Sequence, residues 1–223
     1  MRAPISVVVP TLNAASALPG CAAALFEGVQ AGLVAELIVT DGGSADDTIT
    51  TAKELGARVV SGPASRGGQL ARGCAEATGK WLLIVHADTQ LAPGWTEAAK
   101  AHLSTRKAGW GHLQFDRGGQ FVASWANFRS RVFGLPYGDQ ALLLPRRLYE
   151  DIGGYPDQPL MEDVAIAKRL KGQMRAVGFT AVTSGEKFRR VGWVRQGARN
   201  ISLLLRYMLG ADAQTLSDVY RKR

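Results

Sequence analysis

The chain has 223 residues, 46% of them hydrophobic and 21% charged, a composition that excludes a disordered, collagen-like or disulfide-stapled chain. Its net charge of +8 is uneven, because Lys187 to Arg223 carry nine basic and two acidic residues while residues 1–186 are nearly neutral. A basic C-terminal tail on a neutral body predicts an anionic partner such as phosphate groups or a lipid surface, or else a solvated tail that aids solubility.

Ile5 to Val9 is a short β-branched run, expected to be a buried parallel strand. Ser16 is placed to cap a helix whose apolar positions Leu18, Cys21, Ala22, Leu25, Phe26 and Val29 follow helical spacing. A second strand is expected at Glu36 to Thr40, with a turn at Asp41-Gly42-Gly43-Ser44, then a helix to Leu55 capped by Asp46 or Asp47. A third strand follows at Arg58 to Ser61, a helix at Gly68 to Ala77 and a fourth strand at Trp81 to Val85. This alternation predicts an α/β fold with a mostly parallel sheet and helices on both faces.

The second half is less regular. Strands are expected at Trp110 to Phe115, Ala141 to Leu144 and Ala176 to Val182, and helices at Val122 to Phe133 and Met161 to Leu170. From Asn200 to Leu209, Ile201, Leu204, Leu205 and Met208 form one helical stripe, expected to dock on its own domain, with a membrane-lying helix as the alternative. No linker divides the chain, so one domain is expected: a regular first half (1–90), a less regular second half (91–186) and a basic helical tail (187–223).

Cys21 and Cys74 sit among alanines without metal-ligand spacing, as small buried hydrophobes of a reduced cytoplasm would. Ile5 to Val9 is too short for a signal segment, and no apolar run is long enough to span a bilayer. A cytoplasmic protein is expected, with peripheral contact to the inner face of the cell membrane through the tail. Nucleic acid is not an expected partner, because the basic residues match no binding motif.

A dinucleotide or methyl donor would need a glycine-rich turn after strand one, but Val9-Pro10-Thr11-Leu12-Asn13-Ala14-Ala15 contains no glycine. No phosphate loop of the Gly-x-x-x-x-Gly-Lys-Ser/Thr type occurs either. Polar groups gather instead at the expected strand exits. Asp41 precedes a flexible turn, where its carboxylate can accept bonds from a base or ribose. His86 and Asp88 lie two residues apart on an extended segment, so they face the same way. Asp is a hard oxygen ligand for Mg²⁺ or Mn²⁺. Glu162 and Asp163 open a helix, either complementing its dipole or supplying a general base.

Val7-Val8-Val9-Pro10-Thr11-Leu12-Asn13, Ile38 to Thr48 and His86-Ala87-Asp88-Thr89 together resemble family 2 glycosyltransferases of the GT-A fold. Gly138-Asp139-Gln140 and Pro159 to Val164 extend the likeness to roughly residues 4 to 210, and towards a bacterial branch associated with radical-SAM and selenodomain genes. The resemblance implies an inverting transfer from a nucleotide-diphosphate sugar, UDP-hexose being the commonest donor in the family, to an unidentified hydroxyl acceptor, with a lipid phosphate among the candidates. It implies that Pro10, Thr11, Asn13, Asp41, Gly43 and Ser44 hold the nucleotide, with Arg66 and Gln69 near its phosphates. Asp88 would bind a divalent metal, Mg²⁺ or Mn²⁺, beside His86, and Asp163 would be the catalytic base next to Glu162. Asp139 and Gln140 would line the sugar or acceptor side, and Arg189, Arg190 and Trp193 would lie near the pyrophosphate.

Two positions depart from the wider family. Ala14 follows Asn13 where many members carry Glu, and His86 begins the metal motif where most carry Asp. The rival readings are a protein that binds a nucleotide sugar without transferring it and a sugar nucleotidyltransferase. The latter would need a basic, glycine-rich loop after strand one, which is not there.

Overall fold

In the computed structural model, which describes residues 3–221, the first half follows the predicted alternation. Strands β1 (Ile5–Thr11), β2 (Val34–Asp41), β3 (Arg58–Ser61) and β4 (Trp81–Ile84) are parallel neighbours in the order β3-β2-β1-β4. Helices α1 (Leu18–Gln30), α2 (Thr48–Glu54) and α3 (Arg66–Glu76) connect them. β1 shows why these runs are apolar throughout. Val7 and Val9 enter one core with Leu18, Cys21 and Leu25, while Val8 enters the opposite core with Leu70 and Cys74. A strand buried on both faces has no polar side to alternate with.

The second half contains β5 (Thr89–Leu91), α4 (Trp95–His102), β6 (Ala108–Phe115), α5 (Gln120–Phe133), a 3-10 turn at Gly138–Gln140, β7 (Leu142–Pro145), α6 (Arg146–Asp151), α7 (Glu162–Arg169) and β8 (Met174–Thr183). The sheet continues from β4 as β7-β6-β8-β5. β7 runs antiparallel to both β4 and β6, β8 parallel to β6, and β5 antiparallel to β8. The parallel order of the first half thus gives way to a mixed second half. β5, α4 and α6 span only three, eight and six residues, too short for a periodic signal.

The expected basic tail is folded. It forms α8 (Glu186–Val191), α9 (Trp193–Met208) and α10 (Ala213–Arg221), and Leu203 and Leu216 are buried against Leu160, Met161 and Val164. Residues 222 and 223, part of its charge, lie outside the described residues. The expectation that the Ile201, Leu204, Leu205 and Met208 stripe docks on the domain holds only for Leu204, which is half-buried against this cluster; Ile201, Leu205 and Met208 are exposed, and Leu203 is the residue of α9 that packs fully inward. Among the described residues no helix is long and apolar enough to cross a membrane.

One expected cap changes and the other resolves to one of its two candidates. Ser16 makes no cap, since α1 begins after Ala17 and its first amides bond to the Ala14 carbonyl. Asp46, not Asp47, accepts from the Thr48 amide at the start of α2. Both cysteines are free and buried, and burial pushes each thiol up to about 12, as expected of packing residues.

Candidate functional site

The carboxyl ends of β1 and β4, the start of α3, the 3-10 turn, α7 and the three C-terminal helices enclose two adjoining cavities. One, of about 500 Å³, is lined by Pro10, Thr11, Asn13, Ser65, Gln69 and Glu186 among others. The other, of about 210 Å³, is lined by Gly138, Asp139, Glu162, Asp163, Lys187 and Phe188 among others. Arg66, His86, Asp88, Leu160 and Tyr220 belong to both walls. The sequence pairing of His86 with Asp88 therefore reappears as a shared partition, and Arg66 joins it from the first turn of α3.

Two non-glycine residues lining these cavities have left-handed backbone: Asn13 (φ 52°) and Met161 (φ 63°). Such conformations cost about 1 kcal/mol or more each and cluster where structure positions chemistry. Met161 is the N-cap of α7 and directs Glu162 and Asp163 into the smaller cavity.

Asp163 is half-buried and held from both sides. Its Oδ1 accepts from the Val164 amide at 2.7 Å and its Oδ2 from the Gly138 amide at 3.1 Å. Each oxygen keeps a lone pair for the cavity. Glu162 is buried with no hydrogen-bond partner on Oε2. Burial and then the charge of Asp163 push its carboxyl up to about 8, against a partial offset from Arg66. Asp139 is also raised, to about 6, by burial, and its Oδ1 is unpartnered. His86 is shifted the other way, towards its neutral form, by burial and by Arg66. Its ring packs on Gly138 so closely that a Cβ there would collide with Nε2.

Several sequence-derived residues lie elsewhere. Asp41 is fully buried, and its carboxylate accepts from the Gly43 and Ser44 amides, both at 2.8 Å, and from the Ser44 and Thr11 hydroxyls. With four donors on about four lone-pair sites, it knits the turn and lines neither cavity. Ser44 and Gly43 are likewise outside both walls, with the Ser44 hydroxyl accepting from the Asn13 amide. Gln140 is buried in a network with Ser130, Asn127 and the Gly111 carbonyl, so it supports the site from behind. Gln69 donates to the Thr11 and Thr40 carbonyls, tying two strand ends beneath the larger cavity.

The basic-aromatic element lies outside the two cavities. Arg189 makes a two-pronged ion pair with Asp116 at 2.7 and 3.2 Å, holding that carboxyl down at about 2. Arg190 and Trp193 line neither cavity. From the same helix as Arg189 and Arg190, Lys187 reaches the smaller cavity, with its ammonium 3.6 Å over the Tyr220 ring and its Nζ bonded to the Tyr220 hydroxyl. Neither Lys187 nor Tyr220 was legible as a site residue, because only the folding back of α8 and α10 brings them to the wall.

No three His, Cys, Asp or Glu side chains among the described residues converge on one metal position. Asp88 is exposed on the shared partition. A single hard carboxylate there suits Mg²⁺ or Mn²⁺, which commonly take one or two protein carboxylates and complete their shell with phosphate oxygens and water.

Comparison with known proteins decides the family. The sequence profile described as Glycosyl transferase family 2 matches residues 6–149, well over half of the chain. The chain belongs to glycosyl transferase family 2. Among curated family members it is 36% identical over 99 residues to a "PGL/p-HBAD biosynthesis glycosyltransferase" of Mycobacterium bovis (strain BCG / Pasteur 1173P2), covering 41% of this chain. The match spans only 38% of that relative's length. Among solved structures, S. aureus TarS 1-349 superposes with a TM-score of 0.66 at 16% identity, covering 84% of this chain and 63% of that one. Glucosyl-3-phosphoglycerate synthase from Mycobacterium tuberculosis, in complex with Mn²⁺ and UDP-glucose, superposes with a TM-score of 0.63 at 22% identity, covering 92% and 78%. These likenesses establish that the family 2 sequence adopts the GT-A fold.

Proposed function

We propose that the chain transfers a sugar from a nucleotide-diphosphate sugar to an acceptor hydroxyl, with inversion at the anomeric carbon. The carrying observation is the shared wall of Arg66, His86 and Asp88 between a larger cavity and a smaller one containing the oriented carboxylate of Asp163. The larger cavity has room for a nucleoside and the smaller one for a hexose and the acceptor hydroxyl, with the diphosphate between them against Arg66. Supporting this donor class, the Mycobacterium tuberculosis synthase was solved with UDP-glucose and Mn²⁺. UDP-hexose is the donor we favour, and the narrower radical-SAM and selenodomain-associated branch remains supported by the sequence motifs.

In the proposed reaction the acceptor oxygen forms a bond to the anomeric carbon as the bond from that carbon to the diphosphate oxygen breaks. The nucleoside diphosphate leaves with the electron pair, and the hydroxyl proton passes to a free lone pair of Asp163. The Gly138 and Val164 amides orient that carboxylate, so that its remaining lone pairs face the cavity where the hydroxyl would sit. Arg66 faces the leaving diphosphate with a fixed positive charge, the preorganised stabilisation that such a departure requires. A divalent cation held by Asp88, with His86 beside it, would supply Lewis-acid stabilisation of the same diphosphate. Lys187 and Tyr220 line the cavity on the side of the C-terminal helices, where the Lys187 ammonium adds a positive charge to the wall. A cytoplasmic location, with the basic C-terminal helices at the membrane surface, accords with this donor.

The test is melting temperature against a panel of nucleoside diphosphates and nucleotide sugars, with and without Mn²⁺. A bound donor at about 100 times its Kd adds roughly 2.7 kcal/mol of stability. A Mn²⁺-dependent rise with one nucleotide class supports the reading and names the donor, whereas no rise with any of them overturns it.

A further inference from the structure

We propose that α5 and α9 together form a docking surface for an anionic lipid bilayer. On α5, Phe121, Trp125, Phe128 and Val132 follow one another at helical spacing and all point outward, with Phe121 85% exposed. On α9, Val194, Ile201, Leu205 and Met208 do the same, with Val194 83% exposed. Single exposed apolar residues are ordinary, but a contiguous patch marks an interaction surface. The two stripes meet along the first halves of the helices: an open apolar groove of about 680 Å³ lies between them there, lined by Phe121, Val122, Trp125, Val194, Ala198 and Ile201.

Charge selects the partner. Neither helix contains a single acidic residue, and Arg131, Arg195 and Arg206 are exposed beside the stripes. A second copy of this face would bring arginine against arginine, whereas anionic headgroups complement it. Arginine stems can lie along apolar surface while their guanidinium groups reach phosphate, and aromatic side chains suit the headgroup boundary.

The surface is also adjacent to the reaction cavity. Trp193 lines the groove and stacks on Phe188 with ring centroids 5.2 Å apart, and meets the edge of Phe115 at 4.9 Å. Phe115 and Phe188 line the cavity that holds Asp163. One aromatic layer therefore separates the docking face from the site, so an acceptor anchored in the bilayer would be delivered beside the base. That last step rests on the transfer reading; the docking surface itself does not.

Co-sedimentation of the full chain with phosphatidylcholine vesicles, with and without phosphatidylglycerol, tests the surface. The expected result is salt-sensitive binding to the phosphatidylglycerol vesicles, weakened roughly tenfold or more by the pair Phe121→Ser and Val194→Ser and by the pair Arg195→Glu and Arg206→Glu. Both pairs are at exposed positions, and an unchanged melting temperature confirms that the fold survives. The proposal is overturned by no vesicle binding, by equal binding to both vesicle types, or by binding that the Phe121 and Val194 pair leaves intact. A concentration-dependent dimer that this pair abolishes would instead assign the face to a second copy. Vesicle binding without any donor-induced rise in melting temperature would keep the surface and remove the transfer reading.

Discussion

The Gly138 amide donates to Oδ2 of Asp163 at 3.1 Å, while the Cα of the same glycine packs against the His86 ring. One backbone position thus aims the proposed base and seats a residue of the wall between the cavities.

An Asp163→Asn change removes the proton acceptor and leaves two amides facing a group that can satisfy only one of them. Turnover should fall by roughly 10²–10⁴, with the donor-induced rise in melting temperature retained. Loss of both together would indicate that Asp163 holds the donor and does not act as the base.

Gly138→Ala forces the His86 ring to move, because no space exists for the added methyl. Overpacking of this kind costs about 1–3 kcal/mol, so the denaturant midpoint should drop and turnover with it. Unchanged stability would mean that the 3-10 turn yields freely.

Two of the three arginines expected near phosphate, Arg66 and Arg189, should now separate. Arg66→Ala should weaken donor binding roughly tenfold or more, since a hydrogen bond to a charged group contributes about 1.5–3 kcal/mol. Arg189→Ala should leave donor affinity unchanged, because its guanidinium is committed to Asp116 on an exposed surface. Titration of the donor by calorimetry distinguishes the two, and equal effects would contradict the cavity assignment.

Stability should fall as pH rises from about 6.5 to about 8. Glu162 has an ordinary value of 4.5 and is raised to about 8 in the fold, so between those values the folded chain keeps a proton that the unfolded chain has lost. Raising pH through that window favours the unfolded state, and stability lost there is fully present only below the lower value. His86 and His102, both lowered from 6.5, act with the opposite sign until their unfolded-state imidazoles have lost their protons about a unit above 6.5, so the contribution of Glu162 is read as the difference between wild type and variant. Melting temperature against pH for the wild type and Glu162→Gln checks this: the variant should flatten the slope, and an unaltered slope would assign it elsewhere.

Asp88→Ala should abolish the difference that Mn²⁺ makes to donor-induced stabilisation, leaving the metal-free response in place. A Mn²⁺ effect that persists would remove Asp88 from any metal site.

The alternation of β1 to β4 with α1 to α3 was legible because each strand and helix carries its own periodic signal within a few residues. That His86, Asp88 and Asp163 would share one cavity wall was suggested for a related reason: polar residues at strand exits and helix starts stand out against apolar runs. Hydrogen-bond saturation was not visible in this way. Asp41 looks like a ligand contact in sequence, yet its four donors include its own turn and Thr11 thirty residues away. Strand order beyond β4 was equally hidden, because pairing β7 between β4 and β6 depends on contacts far apart in the chain.

By itself, the sequence determined the family, the parallel half-sheet and the presence of a basic C-terminal segment, all of which follow from local pattern and composition. Tertiary structure alone decided which of that segment's side chains matter where. On α8, Lys187 turns to the cavity and Arg189 to Asp116, a division set by helix phase once the segment has docked. On α9, Leu203 is buried while Ile201 and Leu205 remain outside. An amphipathic pattern specifies that a helix has two faces, but which face is covered depends on what the rest of the fold places against it.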